Sequence, residues 1–172
     1  MSKTSKLLLC ATVLALSAAT ASAQPAPAAA PPPPPAKGPS VALALEAAQT
    51  ALTTCTANGY KVSVSVLDSA GVLKVVLAGD GVRAMGVTSG AKKAAAVLMY
   101  KKSSAAIDEA SKTDADLAAK IKADTTIMAR AGAQPLMSGG EIIGAIGVGG
   151  APGGDKDDVC ALAGVAKIKD RL

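Results

Sequence analysis

Gln134-Pro135-Leu136-Met137-Ser138-Gly139-Gly140-Glu141-Ile142-Ile143-Gly144-Ala145-Ile146-Gly147-Val148 is the stretch whose reading decides the fold. Two apolar runs flank Gly139-Gly140, and a glycine pair between such runs signals a tight turn joining two antiparallel strands. Glycines 144, 147 and 150, in or beside the second strand, predict that another part of the chain approaches its backbone closely. The continuation, Gly149-Gly150-Ala151-Pro152-Gly153-Gly154-Asp155, reads as a loop that opens a terminal helix over about 156–169, with Asp155 placed to cap it.

Upstream, Lys61 to Asp68 alternates Val62, Val64 and Val66 with polar neighbours, the period of a half-buried strand. Ser69-Ala70-Gly71 turns the chain, and 72–78 returns as a second strand, giving another hairpin. Before it, Ser40 can cap a helix running to Ala57, with Val41, Leu45, Ala48 and Leu52 on one face and Asn58-Gly59 as its stop. An Ala-rich stretch over 85–102 predicts a further helix, with Thr88 or Ser89 near its start and Gly86 and Gly90 loosening its first turns. Shorter helices follow over 104–110 and 114–124, the latter capped by Asp114. The order helix, two strands, helices, two strands, helix predicts an α+β fold: a central antiparallel sheet with helices packed on it, in one domain over 40–172.

Half of the residues are apolar, yet there are only two tyrosines and no Phe, Trp or His. A core made of Ala, Val, Leu and Ile implies close approach of helices and strands. The lack of histidine excludes Ser-His-Asp and Cys-His catalytic sets and removes the commonest metal ligand. No paired Cys or His spacing suits zinc, so no metal site is expected.

The N-terminus follows the plan of a secretory signal. Lys3 and Lys6 form a basic head, 7–16 an apolar run, and Ala21-Ser22-Ala23 a small-residue cleavage site. That apolar run is half of the about 20 residues a membrane span needs, which argues against a stable membrane anchor. Cys10 lies too early in the run for lipidation. Cleavage after Ala23 places the mature chain in the periplasm or outside the cell. It also removes two lysines, so that +3 of the formal +5 charge remains. The remaining cations are interspersed with acids, as in Lys112, Asp114, Asp116 and Lys120, and no stacking platform accompanies them. Nucleic-acid binding is therefore not expected. Residues 24–39 are almost all Pro and Ala, with Pro31 to Pro35 consecutive, and read as an extended tether between signal and domain.

Cys55 and Cys160 survive cleavage. In an oxidising compartment two such cysteines invite a disulfide; two buried free thiols are the alternative. Other features each carry two readings. The glycine-rich loop at Gly147, Gly150, Gly153, Gly154 and Asp155 could bind an anion, or simply turn a strand into a helix. It lacks the Gly-Lys-Ser/Thr of a phosphate loop, and Asp155 would repel phosphate. Asp155, Asp157 and Asp158 could furnish a carboxylate pair, or serve as dipole partners on a solvated helix face. Lys92 and Lys93 could receive an acidic ligand, or bury their stems and solvate their heads.

The run Gly140 to Asp155, with Asp157-Asp158 and Cys160-Ala161, resembles the C-terminal signature of the haem-degrading GlcG/HbpS-like (DUF336) domain family. Val62 to Gly71, ending in Asp68-Ser69-Ala70-Gly71, and Asp80 to Ala96, with Lys93-Ala94, agree with it. The resemblance spans about 41–168. It implies a profilin-like α+β domain that assembles into homo-oligomers, dimers or larger rings, and a family in which some members bind haem outside the cell and others accompany glycolate utilisation. The chain departs from the family pattern at Gly132-Ala133-Gln134-Pro135, where paired glycines usually precede the proline, and at Gly149, where serine is usual. Two functions are thereby expected as alternatives: an exported haem- or tetrapyrrole-binding protein, or an exported binder of a small acidic metabolite using Lys92, Lys93 and the amides of 150–155. Without histidine, haem would draw on Met85, Thr88, Lys93, Met99, Tyr100, Met128 or a cysteine, or bind through apolar contact alone. Enzymatic haem breakdown is the weaker expectation, since no proton-transfer group beyond carboxylates and lysines is apparent.

Overall fold

The computed structural model describes residues 35–172. The stretch read as an export signal and most of the expected Pro/Ala tether lie outside the described residues. In chain order the elements are α1 (Val41–Ala57), β1 (Ser63–Asp68), β2 (Leu73–Ala78), α2 (Ala84–Tyr100), α3 (Ser104–Ser111), α4 (Ala115–Ala123), β3 (Ala133–Ser138), β4 (Glu141–Gly149) and α5 (Gly154–Ile168), followed by a 3-10 turn over Lys169–Arg171. The strands form one sheet in the order β2-β1-β4-β3, every pair antiparallel. This is the α+β layout expected from the order of patterns.

Local chemistry fixes the connections. Gly139 and Gly140 both have positive φ, +56° and +83°, as the tightest hairpin turn requires. The β1–β2 turn is held by the Asp68 carboxylate, which accepts from the amides of Ala70 and Val72 at 3.0 and 2.9 Å. Ser40 caps α1 through the Leu43 amide at 3.2 Å, and Asp114 caps α4 through the Leu117 amide at 2.9 Å. Asp155 does not cap α5: Gly153 holds the cap position, which puts Asp155 within the first turn, where its charge complements the helix dipole.

The sheet carries a layer on each face. On one, α1 and α5 cover Val62, Val64, Val66, Ile146 and Val148. The stripe of α1 that meets them is Ala44, Ala47, Ala48, Ala51 and Cys55, whereas Val41 and Leu45 are exposed. The expected apolar face was rotated, because a helix this close to its neighbours buries its smallest residues. Gly164 of α5 lies where an added Cβ would come within 2.7 Å of the Ala47 carbonyl. Cys55 and Cys160 join α1 to α5 in a disulfide with Cα atoms 5.6 Å apart.

On the other face lies α2. It packs on Leu67, Ala133 and Ala145 through Ala94, Val97 and Leu98. The glycines of β4 are explained here: a Cβ on Gly147 would penetrate the Gly90 carbonyl and lie 3.1 Å from the Ala94 Cβ. β1 is therefore buried on both faces rather than half-buried, and Ser63 and Ser65 are fully buried beneath this layer. Their hydroxyls have no hydrogen-bond partner among the described residues.

The end of the expected tether is part of the domain. Lys37 accepts from the Ser69 amide at 2.8 Å and donates its own amide to the Ser69 hydroxyl at 2.9 Å, its ammonium pairs with Glu141, and Pro39 is buried.

Candidate functional site

One end of the sheet, where β1 and β3 begin and β4 ends, carries a cleft of about 590 Å3. Its walls are the segment Gly59 to Lys61 after α1, the start of α2, Met128 and Arg130 before β3, and the β4–α5 loop from Gly150 to Gly154. The apolar part of the lining includes Tyr60, Met85, Met128 and Pro152; the cationic part is Lys61, Arg83 and Arg130. None of these three cations belongs to an ion pair among the described residues. The Tyr60 ring lies under the Lys156 ammonium at 5.9 Å from its centroid.

The floor of the cleft is a buried ion pair. Lys93 Nζ donates to Asp157 Oδ2 at 2.7 Å and to the Val148 carbonyl at 3.1 Å, both side chains being about 5% exposed or less. Asp157 Oδ1 accepts from the Ala151 amide at 3.0 Å, tying the glycine loop to the first turns of α5. Burial pushes the Asp157 carboxyl above the usual carboxylate range, and the hydrogen bond and charge of Lys93 oppose that rise. Gly132 makes the pair possible: with φ +125°, it leaves empty a position where a Cβ would stand 2.6 Å from Lys93 Nζ and 2.7 Å from Asp157 Cβ. Beside the pair, Asp158 accepts from the Gly132 amide at 3.1 Å and from Gln134 Nε2 at 2.8 Å. Asp157 and Asp158 are thus internal struts rather than a solvated acidic face, and Lys93 has a buried head instead of a solvated one.

Of the residues expected from sequence, Lys93, Gly150, Gly153, Gly154, Met85 and Met128 converge on the cleft. Gly147 lies behind it, against α2, and Asp155 is exposed outside its lining. Thr88 is exposed and donates to the Ala84 carbonyl at 3.1 Å; Met99 is exposed; Tyr100 packs against the small cluster of Ala96, Ile107, Ile127 and Ala129. Tyr60, Lys61, Arg83 and Arg130 were missed. No local pattern marks them, since they come from three separate connections: α1–β1, β2–α2 and α4–β3. The buried pair did leave a signal: Gly86, Gly90, Lys93, Ala94 and Val97 share one helical stripe, as do Asp157, Cys160, Ala161, Gly164 and Ile168. A charge inside each small-residue stripe marks the pair.

Among the described residues no helix is long and apolar enough to cross a membrane, and no cluster of His, Cys, Asp and Glu could hold a metal ion. No curated protein sequence matches the chain. Its fold is similar to that of HbpS, at 29% identity and a TM-score of 0.71 over 77% of this chain and 91% of that one. A doubly substituted HbpS from Streptomyces reticuli also matches at 29% identity and 0.71, over 81% and 97%. The DUF336 protein ORFY of Klebsiella pneumoniae shares the fold at 19% identity and 0.73, over 84% and 99%. So does PduOC, solved as a complex with haem, at 18% and 0.70, over 76% and 95%. The family model described as haem-degrading protein, HbpS-like, matches residues 40–166, most of the chain, and the chain belongs to the HbpS-like family.

Proposed function

We propose that this protein is an exported haem- or tetrapyrrole-binding protein whose ligand sits in the cleft between the start of α2 and the β4–α5 loop. The observation that carries the reading is the lining of that cleft in a member of the HbpS-like family: apolar side chains beside three cations that have no acidic partner among the described residues. A volume of about 590 Å3 falls within the roughly 300–1,000 Å3 of cofactor and small-molecule sites. The donor set fits the group. Tyr60, Met85, Met128 and Pro152 offer apolar surface and thioether sulfur, while Lys61, Arg83 and Arg130 suit a pair of carboxylates.

A bound haem would supply a redox-active iron. The chain's own residues would bind and orient it: Lys61, Arg83 and Arg130 would receive its carboxylates, and the Lys93–Asp157 pair keeps the loop at Ala151 in position. The proposal is one of binding, and no catalytic group is assigned. The small-acid alternative is not favoured, because the Lys93 ammonium is committed to Asp157 and Lys92 does not line the cleft.

Export rests on the signal pattern of residues 1–23 and is supported by the Cys55–Cys160 disulfide, which suits an oxidising compartment. Mass spectrometry of the chain recovered from outside the cytoplasm is expected to find Gln24 as the first residue; an intact Met1 would contradict export by cleavage. Homo-oligomer formation is proposed from the family alone, and sedimentation that finds a monomer at every concentration would remove it. Titration of the purified protein with hemin tests the ligand. A Soret change saturating at a fixed ratio per chain is expected, and a featureless titration would overturn the reading.

A further inference from the structure

The cleft narrows the choice of iron ligand by chemistry. Imidazole is absent from the whole chain. Cys55 and Cys160 are joined to each other, so neither offers a thiolate. The Lys93 ammonium is held by Asp157 and the Val148 carbonyl, and the Ser89 hydroxyl donates to the Gly86 carbonyl at 3.1 Å. Tyr60 and Lys61 must each give up a proton before they can ligate. A thioether is neutral and needs no such step.

Two thioethers reach the cleft. Met85, in the first turn of α2, is 78% exposed, the most exposed of the large apolar side chains. Met128 is half-buried and placed beside the same helix by its amide, which donates to the Lys92 carbonyl at 3.1 Å. We propose that methionine sulfur, from Met85 and Met128, ligates the iron of a haem bound in this cleft, an inference that rests on the haem-binding reading above. Thioether sulfur is soft and uncharged, so it favours the ferrous form and raises the reduction potential relative to a site ligated by imidazole.

The test uses the purified protein with hemin, recorded in ferric and ferrous states, together with M85L, M128L, the double variant and M85H. Leucine keeps the apolar bulk, and circular dichroism verifies the fold of each. The wild type is expected to bind with the higher potential. The double variant is expected to lose the sulfur-ligated spectrum and at least about tenfold in affinity, the scale of damage to a metal site, with the single variants apportioning the loss. M85H is expected to gain an imidazole-type spectrum and a lower potential, which places position 85 beside the iron, while the loss of the sulfur-ligated spectrum in the leucine variants is the change a merely structural methionine would not produce. Binding by the wild type with an unchanged spectrum and potential in the double variant would overturn the ligand assignment alone. Failure of the wild type to bind hemin at all would overturn it together with the haem reading.

Discussion

The two faces of the sheet are built on opposite principles. The α1/α5 face is a conventional aliphatic core, five β-branched residues of β1 and β4 against a stripe of alanines, with a disulfide tying the two helices together. The α2 face is thin. Helix and strand meet through glycines, alanines and buried serines, and at its end a charged pair is buried beneath the cleft. One face supplies stability through burial of apolar area; the other trades that burial for close approach. The cleft lies at the end of the sheet where the two layers meet, with walls from the start of α2, the segment after α1 and the β4–α5 loop.

Breaking the α2 face at its charged end should have the largest effect. Lys93→Met leaves Asp157 buried without a counter-charge, with an expected loss of about 3–5 kcal/mol. K93M/D157L should recover much of it, because two apolar side chains can replace a buried ion pair at little cost. Chemical denaturation of both variants checks this, and equal damage in the two would mean that the pair acts only by filling space. On the opposite face, C55A/C160A opens a bridge with a sequence separation of 105 residues, for an expected loss of about 2–4 kcal/mol. Thermal unfolding with and without reductant should show the same difference in the wild type. Gly147→Ala drives a methyl group into the Gly90 carbonyl and should cost about 1–3 kcal/mol. Ala51→Gly, on the other face, adds no volume and should cost about 1 kcal/mol through helix propensity and the lost methyl group.

The sequence made local turns and caps more legible than the faces that elements bury. The Gly139-Gly140 turn, the Ser40 and Asp114 caps and the strand periods were open to reading because each depends on residues adjacent in the chain. The buried side of α1 was misjudged because hydrophobicity favours Val41 and Leu45, while close packing against Gly164 favours Ala47 and Ala51. The double burial of β1 depends on its central place in the sheet, which alternation with serine disguises. Lys93 and Asp157 are 64 residues apart, and only the completed fold brings them together.

The smallest expected effect lies at the edge of the α1/α5 layer. The Glu46 carboxyl is held below its ordinary range by its hydrogen bond with Arg171, and the charges of Arg171 and Lys167 act in the same direction. A lowered folded value means that the contribution is present above the unfolded carboxylate range, about pH 4.3, and is lost as pH falls through the folded value. Glu46→Gln should therefore lower Tm slightly at pH 7 and leave it unchanged in strong acid. A deficit that persists in acid would point to packing instead.

The central claim is that the thin face ends in a cleft that binds an anionic tetrapyrrole, and hemin titration of R83A/R130A beside a control, K120A/K122A, tests it most directly. The control cations lie on α4, outside the cleft. Expected are wild-type affinity for the control and a loss of about tenfold or more for R83A/R130A, from two charge-assisted contacts of about 1.5–3 kcal/mol each. Equal affinity in wild type, control and R83A/R130A would contradict a haem seat in this cleft.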